Sequence, residues 1–298
     1  MSDRIAIIGP GRMGLALGAA LREARAAEHF AFLGRGLEPP PHPIFEPQGA
    51  ASEWDVLPGI EYRMLPSALP DRTTIVLLAV PDSALREVAH ELAHFGAAPP
   101  GCVALHLSGA LTTDVLEPLF HAGYTTGSMH PLQTVADPWH SADRLQGITF
   151  GLGGEPVALA AGRRLAAALG STTLVVPPSL RPVYHAAAVM ASNYVVALVA
   201  ASVRVLEQAG VEESDALRAI LPLVQGTLDN VRDLGVPAAL TGPIPRGDAD
   251  TIRLHLARLS PRERVLYCDL GLELLELARA AGLDDARAGD IEALLASR

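Results

Sequence analysis

The first half of the chain alternates short apolar runs with segments of helical period. Residues 4–8 are a β-branched run. Residues 30–33, 60–64 and 74–80 repeat the pattern, and the last is stopped by Pro81-Asp82. Further apolar runs at 102–107, 124–129, 148–152 and 172–176 complete eight predicted strands. Helical periods over 15–21, 83–95 and 156–169 lie between them, and Asp82 or Ser83 offers a cap for the second. Residues 37–58, rich in Pro and Gly, predict an irregular excursion. Strands that alternate with helices predict an α/β architecture, a doubly wound and mostly parallel sheet covered on both faces.

The pattern changes at Pro177-Pro178. Only helical periodicity follows, over 180–209, 213–233, 248–258, 261–281 and 285–296, with Ser214 and Ser260-Pro261 as helix starts. Two domains are expected, 1–177 and a smaller all-α domain over 178–298. Residues 183–205 are almost free of charge up to Arg204. A membrane span would hold His185, Ser192 and Asn193 poorly. The segment is therefore read as a helix buried on all sides, in a protein core or a subunit interface, and a homodimer is expected.

At the first strand-to-helix junction stands Gly9-Pro10-Gly11-Arg12-Met13-Gly14. A G-x-G-x-x-G between a buried strand and a helix is a dinucleotide-binding fingerprint of the Rossmann type. Gly9 permits the turn, Gly11 admits a pyrophosphate to the backbone, and Gly14 lets helix and strand pack closely. The amides opening the helix, from Arg12 and Met13 onward, then face the phosphates.

Composition narrows the chemistry. The net charge of −10 disfavours nucleic acid as a partner. Two cysteines, Cys102 and Cys268, suggest a reducing compartment without a disulfide framework. With no charged-then-apolar leader pattern at the N-terminus, a cytoplasmic location is expected. There is no lysine, so all 23 basic residues are arginine. Any cationic anchor must be arginine or protonated histidine.

The end of the second strand selects the cofactor in such folds. It carries Arg35 and no acid, and Arg12 is a second cation for the same phosphate. NADP is therefore expected over NAD. Ligands sit at the carboxyl ends of the strands, so Val80-Pro81-Asp82, Ser108-Gly109 and residues 129–134 should frame the nicotinamide.

Further signatures are His106-Leu107-Ser108-Gly109-Ala110-Leu111, the run Met129 to Thr134, Tyr184-His185-Ala186-Ala187-Ala188 continuing to Ser192-Asn193-Tyr194, and Leu240-Thr241-Gly242-Pro243 through Arg246-Gly247-Asp248. With the N-terminal motif, they resemble the superfamily of 6-phosphogluconate and β-hydroxyacid dehydrogenases, ketopantoate reductase, prephenate dehydrogenase and pyrroline-carboxylate reductase. Within it, the chain resembles a largely uncharacterised bacterial oxidoreductase family in which a Rossmann-like domain precedes a helical domain of unknown function. The resemblance implies a substrate-binding role for Ser108 and an active-site asparagine at Asn193. The superfamily's catalytic lysine falls on Val189, so that mechanism does not transfer. His185, one turn earlier on the same helix face, is a replacement proton source.

Hydride transfer to a carbonyl or imine needs a proton donor. Without lysine, the candidates are His130, His185 and His106, in that order, with Ser108, Asn193 and Gln133 orienting the substrate. The expected activity is NADP-dependent oxidoreduction of a small oxo, hydroxy or imino compound, a carboxylate by preference, for which Arg246 is a candidate anchor. A catalytically idle dinucleotide-binding sensor is the alternative. His90-Glu91-Leu92-Ala93-His94 has the form of a zinc-protease motif but lies on a predicted crossover helix, so no metal is expected.

Overall fold

A computed structural model describes residues 3–46 and 59–297, so 47–58 of the predicted excursion lie outside the described residues. Eight strands form one sheet: β1 (Arg4–Ile8), β2 (His29–Gly34), β3 (Gly59–Met64), β4 (Ile75–Leu78), β5 (Val103–His106), β6 (Thr125–Pro131), β7 (Thr149–Gly154) and β8 (Thr172–Val175). Their order is β3-β2-β1-β4-β5-β6-β7-β8. Strands β1 to β6 are parallel, β7 runs antiparallel to β6, and β8 is parallel to β7.

The helices of this part are α1 (Arg12–Glu23), α2 (Leu85–His94), α3 (Glu117–His121) and α4 (Pro156–Ala168). Successive strand residues point to opposite faces. Ile5, Ile7, Phe30, Phe32, Ile75 and Leu77 therefore pack with α1 and α4. Ala6, Ile8, Ala31, Leu33, Val76 and Leu78 pack with α2 and α3. Both faces are covered, as a parallel sheet requires.

The remaining helices are α5 (Arg181–Gln208), α6 (Glu213–Leu234), α7 (Val236–Ala239), α8 (Ala249–Leu256), α9 (Pro261–Ala280) and α10 (Asp285–Ala296). The structure turns all-helical after β8, and the chain divides into two compact units, Met1–Met190 and Ala191–Arg298. The second unit has its own core, with Ile252, Leu256, Cys268, Leu275, Ile291 and Leu295. Ser260 caps α9, as predicted. Ser214 does not start α6: Glu212 is the cap residue, and Ser214 lies inside the first turn. Asp82 does not cap α2 either, because a 3-10 turn over Asp82–Ala84 intervenes.

The expected burial of the long apolar helix inside the chain is corrected. Pro178–Gln208 is long and apolar enough to cross a membrane, yet only 11% of its most apolar window is buried. Helices α8 to α10 cover one another's apolar faces. Met190, Tyr194, Val196 and Leu198 on α5 stay exposed, as do Leu217, Leu221, Leu228 and Leu234 on α6.

One close approach fixes α1 on the sheet. A Cβ on Gly14 would collide with the Gly9 carbonyl oxygen and lie 3.1 Å from the Ala79 Cβ. The side-chain-free residue lets α1 start directly behind β1 and β4. Gly14→Ala is expected to lose about 1–3 kcal/mol in denaturant unfolding through overpacking, despite alanine's better helix propensity. Gly11→Ala, whose Cβ meets nothing within 4 Å, should cost no more than about 1 kcal/mol.

Candidate active site

The carboxyl ends of β1, β2, β4, β5 and β6 meet at one edge of the sheet, where the strand order reverses between β1 and β4. Ligands of open α/β sheets bind at such a point. Gly9 follows β1 with φ of +94°, the left-handed region open to glycine. A Cβ there would lie 2.7 Å from Val80 Cγ1 and 2.8 Å from the Ala79 carbonyl oxygen. Gly11 is the N-cap of α1 and is exposed. No side chain caps the helix, and its first turn holds no acid. The opening amides, including those of Arg12 and Met13, are thus left for an external anion.

Arg35 follows β2 and is exposed. Its guanidinium faces two carboxylates of α2, Glu87 at 3.6 Å and Glu91 at 3.9 Å. Glu91 is the acid of the zinc-protease-like string. Arg12 is also exposed, at the first position of α1. Val80 packs against Gly9, and Pro81 precedes the 3-10 turn.

At the ends of β5 and β6 the predicted residues converge. Ser108 is buried, and its hydroxyl donates to Asp82 Oδ2 at 2.8 Å while accepting from the amides of Ala110 (3.3 Å) and Leu111 (3.1 Å). This hydroxyl therefore anchors the turn after β5. It also explains why Asp82 is not a helix cap. Gln133 is held within its own loop, donating to the Arg144 carbonyl and accepting from the Thr134 amide.

His130 and His185 stand face to edge, with ring centroids 5.8 Å apart. Gly109 makes this possible: a Cβ there would strike the His185 ring and lie 2.8 Å from His130 Nε2. Tyr184 completes the group, with its hydroxyl 2.9 Å from His130 Nδ1. The phenol sits over Gly151 of β7, where a Cβ would collide with it. Asn193 lies two turns beyond His185 on α5, in the second unit, and is exposed. Arg246 is exposed in the second unit, 3.8 Å from Asp248, which caps α8.

Sequence reasoning assigned no role to Arg181 or Tyr184. Arg181 is buried and donates from Nη1 to Ser128 Oγ at 2.8 Å and from Nη2 to the Ser108 carbonyl at 2.6 Å. It ties the first turn of α5 to β5 and β6. Its position one turn before the Tyr184-His185 pair was the available signal.

This cationic surrounding sets the histidines. Burial, then His185 and Arg181, lower the His130 pKa to about 4. Burial and Arg181 lower that of His106 to about 3, with His130 adding to the effect and the Thr112 backbone partly offsetting it. Neither ring nitrogen of His106 has a well-formed hydrogen bond. Both rings are therefore neutral near pH 7, so His130 does not store its proton as imidazolium.

The comparisons agree with this architecture. Residues 50–131 match the family described as Rossmann-like domain, and residues 148–274 match Domain of unknown function (DUF2520). No curated protein matches the chain. Among solved structures, protein TM1727 from Thermotoga maritima is 24% identical with a TM-score of 0.67, covering 93% of this chain and 99% of its own. Pyrroline carboxylate reductase from Plasmodium falciparum, with NADP bound, is 14% identical with a TM-score of 0.56, covering 98% of each chain. A reductive aminase from Aspergillus terreus, in complex with NADPH and ethyl levulinate, is 18% identical with a TM-score of 0.57, covering 99% of each. At these identities the likeness is one of fold.

The unfolded chain protonates both histidines near their ordinary 6.5, while the folded chain does so only near 4 and 3. Between these values the unfolded state binds more protons, so stability rises with pH. The contribution is complete above 6.5 and is lost as pH falls, by up to about 1.4 kcal/mol per pH unit for each ring. Urea unfolding between pH 7 and 5 should show this slope, and His106→Leu should reduce it. The chain thus resembles a Rossmann-like domain over residues 50–131 and the domain of unknown function DUF2520 over residues 148–274.

Proposed function

We propose that this chain is an NADP-dependent oxidoreductase acting on a small oxo, hydroxy or imino compound, a carboxylate by preference. The observation that carries the proposal is the opening of α1. Among the described residues nothing lies within 4 Å of a Cβ built on Gly11, Gly14 is locked against the Gly9 carbonyl, and no side-chain hydrogen bond caps the helix start. A diphosphate needs this combination of room and free amides. Gly9, Gly11, Gly14 and the amides of Arg12 and Met13 would hold it. Arg35, with Arg12, would take the 2′-phosphate, and Val80, Pro81 and the Ser108-Gly109 turn would border the ring.

When bound, the nicotinamide donates or accepts hydride. The chain's own part is the proton. A neutral imidazole can donate a hydrogen bond and then its proton to charge developing on substrate oxygen or nitrogen. His130 stands at the carboxyl edge for this task, with His185 beside it. The names of the structural relatives, a reductase with NADP and an aminase with NADPH, support the same chemistry.

Fluorescence titration should show NADPH binding at least tenfold tighter than NADH. Arg35→Ala should remove most of that preference, whereas Glu87→Gln with Glu91→Gln should sharpen it by relieving repulsion of the 2′-phosphate. No signal with either nucleotide would end the proposal. Tight binding without turnover on any oxo acid, imine or aldehyde would identify a dinucleotide sensor instead.

The exposed apolar stripes of α5 and α6 support a homodimer, since unpaired apolar surface of this kind marks an interface. Light scattering at micromolar concentration should give twice the chain mass, and Leu221→Glu should shift it toward the monomer. A monomeric wild-type chain would refute this assembly.

A further inference from the structure

We propose that Tyr184 is a proton relay behind His130: its hydroxyl holds Nδ1 as an acceptor, keeps the ring's proton on Nε2, and refills the ring when that proton leaves. The inference rests on the oxidoreductase proposal for its chemistry, but its geometry stands alone.

Geometry sets the partners of the hydrogen bond, and acid–base strength sets its direction. Tyr184 Oη and His130 Nδ1 are 2.9 Å apart, so one of them donates. A phenol O–H is the stronger acid of the two groups and a neutral imidazole nitrogen the stronger base, so the hydroxyl donates and the ring nitrogen accepts. Gly151 is the residue opposite His130 in the β6–β7 pair, and only glycine leaves room for the phenol above it. The Tyr184 O–H is therefore the donor to Nδ1. A neutral imidazole carries one proton, so that proton is on Nε2. Nε2 is the nitrogen beside the Gly109 backbone, at the carboxyl edge of the sheet.

The surroundings suit a relay that never forms imidazolium. Arg181 and His185 face His130 from α5, His106 faces it from the end of β5, and Asp82 lies within electrostatic reach of Arg181. Burial first, and then these neighbours, penalise a charged ring. Burial raises the Tyr184 pKa, and Arg181 offsets part of that rise. In the reducing direction, the developing anion on substrate takes the Nε2 proton, so an N–H bond breaks and an O–H or N–H bond forms on substrate. The Tyr184 O–H breaks as Nδ1–H forms. Imidazole ends as its other neutral tautomer and Tyr184 as phenolate, which a water proton restores. An alkoxide is a stronger base than a phenolate, so the transfer runs downhill. An orienting group that fixes the tautomer of a catalytic histidine is an established device in other enzymes. Here the orienting group also carries the second proton.

The test is nitrogen NMR of the full chain labelled at histidine, at pH 7, with His130 assigned by its loss in His130→Gln. The expected spectrum shows His130 protonated on Nε2 with Nδ1 as acceptor, and Tyr184→Phe converts it to a mixture of tautomers. NADPH affinity should stay within twofold in Tyr184→Phe. On a turned-over substrate, kcat should fall tenfold or more while KM changes little. A solvent isotope inventory should change from two protons to one. An Nδ1–H tautomer in the wild type, or a tautomer indifferent to Tyr184→Phe, would overturn the relay. Absence of NADPH binding would instead defeat the oxidoreductase proposal and leave the tautomer result to be judged by itself.

Discussion

The architecture of the first unit depends on a contact that only an absent side chain permits, the approach of Gly14 to the Gly9 carbonyl. A helix that starts this close to a strand end points its unpaired amides across the sheet edge. The same contact brings α1 against β1 and β4, between which the strand order reverses. Core packing and the anion binding proposed for this helix start therefore share one geometric requirement. The packing half can be satisfied by many sequences, but the free helix start needs an uncapped, acid-free first turn as well.

The histidine group is built on a second requirement of the same kind. Two glycines, Gly109 and Gly151, make room for rings rather than for turns. Strand β6 supplies His130, the turn after β5 supplies Gly109, and the antiparallel β7 supplies Gly151. Arg181 locks the first turn of α5 to β5 and β6, so Tyr184 and His185 follow at a fixed phase of the helix. Burial keeps His106 and His130 uncharged, and the guanidinium adds to that effect. Arg181 thus bears on both position and protonation state.

Much of this was legible in the sequence. Eight apolar runs gave eight strands, because a sheet buried on both faces writes itself as continuous hydrophobic stretches. The fingerprint at Gly9 to Gly14 was local, so its spacing was enough. The Asp82 side chain was misread as a cap because its partner, the Ser108 hydroxyl, lies 26 residues away. Arg181 and Tyr184 went unassigned for the same reason: their partners lie on β5, β6 and β7. The apolar stretch of α5 was legible as a helix, but composition alone does not say which surface covers it. Side-chain burial depends on the packing of α8 to α10 with one another, which periodicity does not encode.

Gly109 has a consequence for which substitutions this turn tolerates. Its hydrogen atom occupies the only gap between two imidazoles, so a methyl group there would evict one of them. The glycine and the paired histidines form a single packing unit. A variant that gains a side chain at this point must displace one of the two rings. A change at this single position would dissolve the histidine pair while leaving the opening of α1 at Gly11 as it is.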